Sequence, residues 1–413
     1  MKKYGVFTVT MVACALSSLA APRLDIFGWG YVPPKFVDAA RYEEASEAGF
    51  TVLMQWVNSV EHAKELLDLA QRAGIKLQLQ GNEAKTPLRD LVAATKGHPA
   101  LHGFTMADEP AVGDFSKVKA KIETLREIDA DKNHVYYVNV FGPVQEPEKW
   151  CGTSTYDEYL EKVLSDLPLD LFSFTCYPVR TAKPMEGASF RNPKEPCIVL
   201  DRWYDALEKI SAQTQAKGLP FWGFALATAH RVYPGHDFPV PTMGHLRLEA
   251  YSNLAYGAQG LQYFTYWNVA PGSLGFNNPP FTGEGKSTPV YDRMRELNHE
   301  LKAREFVFAG AKLRGVWHTG EEIPVGTKPL KTFPKGVKAL STPDGGAVVS
   351  ILENDGRRYL VVVNRSPNDE LTLDVELEDG AERVRADGTL MKAVAHGPEY
   401  WLTPGACEIF RLP

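Results

Sequence analysis

Cysteine is scarce. The 413-residue chain has 5, with no C-x-x-C pair and no His-x-His ending a strand, so neither a disulfide-knit scaffold nor a zinc site is expected, nor any other metal or cofactor. An excess of basic charge is also lacking. The 45 Lys and Arg against 51 Asp and Glu leave a net −6 without a basic run, so no nucleic-acid partner is expected. Beyond the N-terminus no apolar run reaches the ~18–20 residues that span a bilayer, and no membrane span is expected. Long internal repeats and low-complexity linkers are absent too, which excludes a solenoid or a disordered chain. What remains is a globular composition, 44% hydrophobic and 23% charged with 34 Gly, 29 Pro and 11% aromatics, at a length suited to one large and one small domain. Composition leaves the oligomeric state open.

At the N-terminus Lys2 and Lys3 precede an uncharged apolar stretch that closes on Ser18-Leu19-Ala20. Residues 1–20 read as an export signal, which places the mature chain outside the cytoplasm, secreted or periplasmic. Met11-Val12-Ala13-Cys14 alternatively reads as a lipoprotein box with a lipid anchor on Cys14. Export favours disulfides. Cys151 and Cys197, both in loop-like stretches with proline nearby, are the expected pair, and Cys176, in an apolar strand, is expected to be a buried thiol.

From residue 24 to about 310, short apolar segments alternate with helical ones, as in successive βα units. Strands are predicted at 25–31, 51–57, 75–80, 101–107, 134–141, 169–177, 219–227 and 261–267. Eight is the number that closes a (β/α)8 TIM barrel. Gly49, Gly74 and Gly218 stand just before strands, where a helix ends on a left-handed residue. A doubly wound open sheet is the competitor, but no G-x-G-x-x-G follows the first strand. After an amphipathic stretch at 289–308 the pattern changes to strands at 348–352, 359–364, 371–377 and 408–412, separated by Asp-Gly and Gly-Gly turns. The predicted fold class is therefore α/β, with a barrel over 21–310 followed by a small antiparallel β-sandwich over 311–413.

Active sites of such barrels lie where the βα loops converge, at the C-terminal ends of the strands. Those ends carry Trp29, Tyr31, Gln55, Trp56, Gln80, Asp108, Glu109, Asn139, Tyr177, His230, Tyr266 and Trp267. Rings offer apolar faces to a sugar, while amides, phenols and imidazole bond its hydroxyls. A carbohydrate substrate is expected, bound by these residues around the two acids. Alternation along residues 101–110 puts Phe104, Met106 and Asp108 on the helix-facing side and Thr105, Ala107 and Glu109 inside, with Pro110 ending the ladder.

Glycosidic cleavage needs a carboxylic acid to protonate the departing oxygen, and usually a second carboxylate. Glu109 fits the acid if apolar surroundings raise its pKa. Asp108 fits the second role only if the strand bends sharply there, and otherwise reads as a helix cap. The seventh strand segment, 221–228, carries no acid, which leaves Glu83, Asp237 and Glu284 in loops. Glu249, beside Arg247 on the helix before the last strand, reads as half of a structural ion pair.

The chain resembles the clan A glycoside hydrolases, especially β-galactosidase-like barrels of family 42. The likeness rests on Gly103 to Pro110, on Leu254 to Trp267, and on Tyr359 to Ser366 with Leu402-Thr403-Pro404-Gly405 and Ile409 to Leu412. It implies a barrel hydrolase in which Glu109 takes the place of the acid/base that follows Asn in that clan. Asp108 stands where the clan has that Asn, and the clan's strand-seven nucleophile has no match. The nucleophile then comes from another strand, the substrate assists, the mechanism inverts, or the chain is a non-catalytic carbohydrate-binding barrel.

Overall fold

A computed structural model describes residues 22–129, 134–182, 196–232, 237–268, 274–393 and 399–413. The expected leader at 1–20 and Cys14 lie outside the described residues. All eight predicted barrel strands form, as Asp25–Gly28 (β1), Val52–Val57 (β2), Lys76–Gly81 (β3), Leu101–Asp108 (β4), Val135–Phe141 (β5), Phe172–Thr175 (β6), Phe221–Leu226 (β7) and Gly260–Phe264 (β8). They close in the order β1-β8-β7-β6-β5-β4-β3-β2, every neighbour parallel. A helix follows each strand, namely Ala39–Glu47 (α1), Val60–Ala73 (α2), Leu88–Thr95 (α3), Phe115–Ile128 (α4), Tyr156–Asp166 (α5), Arg202–Lys217 (α6), Met243–Ala255 (α7) and Pro289–Ala303 (α8). The open-sheet alternative falls away with this closure.

Local chemistry sets the helix ends. Ser59 accepts the His62 N–H at the start of α2, which buries Ala63, Leu66, Leu67 and Ala70. Gly74 ends α2 and Gly218 ends α6, with φ of 73° and 64° that a side chain would resist.

Inside the ring, Phe27, Val52, Met54, Tyr137, Leu171 and Trp222 form a separate apolar cluster, each worth about 1.5–3 kcal/mol when fully buried. Glycine makes room for close approach. A Cβ on Gly103 would lie 2.0 Å from the Val135 carbonyl oxygen.

The C-terminal strands are Lys312–His318 (β9), Val337–Ser341 (β10), Ala347–Asn354 (β11), Arg357–Asn364 (β12), Leu371–Leu377 (β13), Glu382–Val384 (β14), Leu390–Lys392 (β15), Glu399–Leu402 (β16) and Cys407–Leu412 (β17). They build a six-stranded antiparallel sheet, β9-β11-β12-β17-β14-β15, and a three-stranded one, β10-β13-β16. β12 is apolar on both faces because each face has its own core. Tyr359, Val361 and Val363 join the barrel's core, while Leu360 and Val362 join the core between the sheets. Asp355 and Gly356, both with positive φ, turn β11 into β12. Arg304 ties the parts together, donating to the carbonyl oxygens of Arg385 at 3.0 Å and Cys407 at 3.4 Å.

One expectation fails here. Cys151, Cys176, Cys197 and Cys407 are all free and buried, so no Cys151–Cys197 bridge exists. Cys151 and Cys197 each fill a place in the apolar core, and burial pushes their thiols up to about 12 and about 11.

Gly103→Ala is expected to lose about 2–3 kcal/mol, because the new Cβ collides with backbone rather than with a movable side chain. Urea unfolding at constant m-value measures this, and an unchanged midpoint would show that β4 and β5 can part without cost.

Candidate active site

Between Thr105 and Ala107 the pairing of β4 with β5 slips by one residue. Thr105 lies opposite Tyr137, but Ala107 lies opposite Val138 and Asp108 opposite Asn139. Met106 is the extra residue, a β-bulge that reverses the alternation beyond it. Phe104 and Met106 face the helices as expected, and Ala107 also packs on that side. Asp108 therefore turns inward, correcting its expected helix-facing place. Glu109 then leaves the ladder with φ of 49°, its N–H donating to the Asn139 carbonyl oxygen at 2.7 Å. The left-handed turn swings its side chain toward the same cavity that Asp108 faces.

Behind the acids runs a buried chain of hydrogen bonds. Asn139 Nδ2 donates to Asp108 Oδ1 at 2.9 Å and to Thr175 Oγ1 at 2.7 Å, while its Oδ1 accepts from Ser173 Oγ at 2.8 Å. Gln262 Nε2 donates to Ser173 Oγ at 2.8 Å, and the Tyr137 hydroxyl donates to Gln262 Oε1 and accepts from Trp29 Nε1 at 3.1 Å. Burial raises the Asp108 carboxyl, against the Asn139 hydrogen bond that lowers it, although the group opens to water in the cavity. Glu109 is pushed up to about 7, chiefly by burial and further by the charge of Asp108, against a hydrogen bond from Thr175.

The cavity has a volume of about 770 Å³. Of the expected residues it gathers Trp29, Asp108, Glu109, Asn139, Tyr177 and His230. His230 stacks on Phe238, with ring centroids 4.6 Å apart, and burial drops its imidazole to about 4, so it is neutral near pH 7.

Six expected binding residues lie elsewhere. Tyr31 is exposed on the loop after β1. Gln55 is buried and clamps Val32, accepting its N–H at 3.3 Å and donating to its carbonyl at 3.1 Å. Trp56 and Gln80 are partners across β2 and β3 but do not line the cavity. Tyr266 and Trp267 are fully buried because β8 stops at Phe264, where the chain hooks round the end of β1 through Tyr266 N–H to the Trp29 carbonyl. Tyr266 packs edge-on to Phe50, and Trp267 stacks on Phe281 at 4.8 Å.

The other candidate carboxylates are also committed elsewhere. Glu83 accepts the Leu88 N–H at the start of α3 and meets Lys121 at 2.8 Å. Asp237 is buried against Arg231, and Glu284 sits on an exposed loop. Glu249 makes no ion pair with Arg247, which reaches Glu300 at 2.8 Å instead. It is fully buried and accepts the Leu226 N–H at 2.6 Å, and burial pushes it up to about 8. Among the described residues, no group of three or more His, Cys, Asp or Glu could hold a metal ion, and no helix is long and apolar enough to cross a membrane.

Sequence reasoning missed Thr175, Phe224, Phe264, Phe276, Trp150 and Arg202, all of which line the cavity. A usable signal was loop length. The connections after β5, β6, β7 and β8 are the long ones, and they supply much of the cavity wall.

No family model matches this sequence, and no curated protein resembles it closely enough to count as a relative. Solved structures do share its architecture. A family 42 β-galactosidase from G. stearothermophilus, in a catalytic-mutant form, superposes with a TM-score of 0.61 at 9% identity, over 95% of this chain and 98% of that one. A β-galactosidase from Bacillus circulans sp. alkalophilus gives 0.57 at 10%, over 95% and 99%. A family 39 glycoside hydrolase from Bacteroides cellulosilyticus WH2 gives 0.52 at 12%, over 95% and 81%. What these structures share with the chain is the fold, a closed eight-stranded parallel barrel followed by antiparallel β-sheets.

Asn139→Leu removes the donor that lowers the Asp108 carboxyl, so Asp108 is expected to titrate higher than in the parent, as read by carboxyl 13C NMR. The variant should also lose about 1–3 kcal/mol, since Ser173 and Thr175 lose their partner. An unmoved Asp108 titration would show that Asn139 does not tune the acid.

Proposed function

We propose that this protein is a glycoside hydrolase whose general acid is Glu109. The observation that carries the reading is a carboxyl held at about 7, facing a cavity at the C-terminal mouth of a closed barrel. Such a group keeps its proton near neutral pH and can deliver it to the oxygen that departs from the anomeric carbon. Asp108, brought inward by the bulge to the same cavity, is the second carboxylate that such cleavage uses. Trp29 on the floor and Trp150 on the rim offer sugar-stacking faces. The structural neighbours described above, all glycosidases by name, support the class of reaction.

A carbohydrate-binding barrel without catalysis is the second reading, favoured by the acid-free, buried end of β7 at Leu226, Ala227 and Thr228. Glu109→Gln separates the two. A hydrolase should lose about a hundred- to ten-thousandfold in kcat on unactivated glycosides while still binding them. The parent's kcat/KM should fall as pH rises through about 7, because the acid form is the active one. Undiminished turnover in the variant would remove Glu109 from the mechanism. Binding without cleavage by either protein would establish the second reading.

The same proposal includes export, supported by Lys2, Lys3 and the apolar stretch after them. The mass of the mature protein should begin at Ala21. A chain starting at a lipid-modified Cys14 would replace secretion by tethering, and an uncut chain would refute export by a cleaved leader.

A further inference from the structure

Arg202, the first residue of α6, lines the cavity that holds the two acids, and its charge is felt by the Cys176 thiol in the same wall. Several other arginines that are wholly or partly buried are tied to carboxylates, Arg126 to Asp170, Arg231 to Asp237, and Arg247 and Arg304 to Glu300, while Arg293 and Arg365 bond backbone carbonyls. Among the described residues, no carboxylate or carbonyl engages Arg202. It is not the counter-ion of the acids either, since the carboxyls of Asp108 and Glu109 are both raised and neither is lowered by it. The remaining cavity bases are accounted for. Lys149 meets Glu146 at 3.2 Å on the exposed rim, and the buried His230 ring is neutral near pH 7.

An open guanidinium fork, with five donors in fixed geometry, suits a planar or tetrahedral oxyanion. We infer that Arg202 anchors an anionic substituent on the bound sugar, the carboxylate of a uronic acid or a sulfate ester, so that the substrate class is an acidic glycan. The inference rests on the cavity being a glycan site, as proposed above. The chain's net charge of −6 offers no general attraction for a polyanion, so the preference is local to this one fork.

The test reads binding, so it does not depend on turnover. Glu109→Gln protein is titrated by calorimetry with three oligosaccharides of equal length: one with uronic acid, one sulfated and one neutral. At least one anionic probe should bind about ten- to a hundredfold tighter than the neutral one, the range of a charge-assisted hydrogen-bonded pair. Adding Arg202→Met should abolish that preference and leave the neutral probe unchanged, while Arg202→Lys, which folds with the charge retained, should keep only part of it. Equal affinity for all three probes, or an equal loss for all three in the Arg202 variants, overturns the inference and spares the hydrolase proposal. If no probe binds at all, the glycan-site reading fails together with it.

Discussion

A closed ring of parallel strands leaves its inward polar groups no water to turn to, so each must find a partner across the barrel. Here Tyr137, Ser173, Gln262 and Asn139 satisfy one another, above an apolar plug that includes Phe27, Met54 and Trp222. Asn139 is the last link before open space. Its amide oxygen is taken by Ser173 and its nitrogen by Asp108 and Thr175, so the interior fixes the acid's first partner. The site is preorganised by groups that could not move without orphaning a neighbour.

On that base the extra residue in β4 has a large effect. Without Met106 out of register, Asp108 would face the helices and Glu109 would be the sole inward acid. With it, two consecutive carboxylates reach one cavity by different means, Asp108 by reversed parity and Glu109 by a left-handed backbone. Their closeness matters electrostatically, because the charge of Asp108 helps to hold the proton on Glu109. Thr175 works against that by bonding the Glu109 carboxyl. The result of these opposed effects is an acid poised near neutral pH.

The β-sandwich bears on the site indirectly. Its larger sheet lends one face to the barrel's core and the other to the smaller sheet, so the two parts share apolar surface rather than a flexible linker. Arg304, bonded to Tyr251 and Glu300 as well as to backbone of the C-terminal strands, binds the end of α8 to that surface. The cavity itself is built on the opposite principle, largely from loops after β5 to β8, whose aromatic residues Tyr177 and Phe276 meet Phe264 at the end of β8 only when the barrel closes.

Sequence alone determined the eight strands, the helix stops at Gly74 and Gly218, the Asp355-Gly356 turn and the place of the Asp108-Glu109 pair at the C-terminal end of the fourth strand. Each of these is decided within a few residues, by side-chain periodicity, by a need for positive φ, or by a proline that ends a ladder. Tertiary structure decided the rest. The slip at Met106 exists only against β5, so nothing in residues 101–110 announces that Asp108 turns inward. Tyr266 and Trp267 read as mouth residues until the hook round β1 buries them. Arg202 and Thr175 read as ordinary until the fold carries them to the cavity. Cys151 and Cys197 read as a bridge until each is seen filling its own place in the core. Register between strands and convergence of distant loops are relations between separated parts of the chain, and they are fixed by how those parts pack rather than by what either contains.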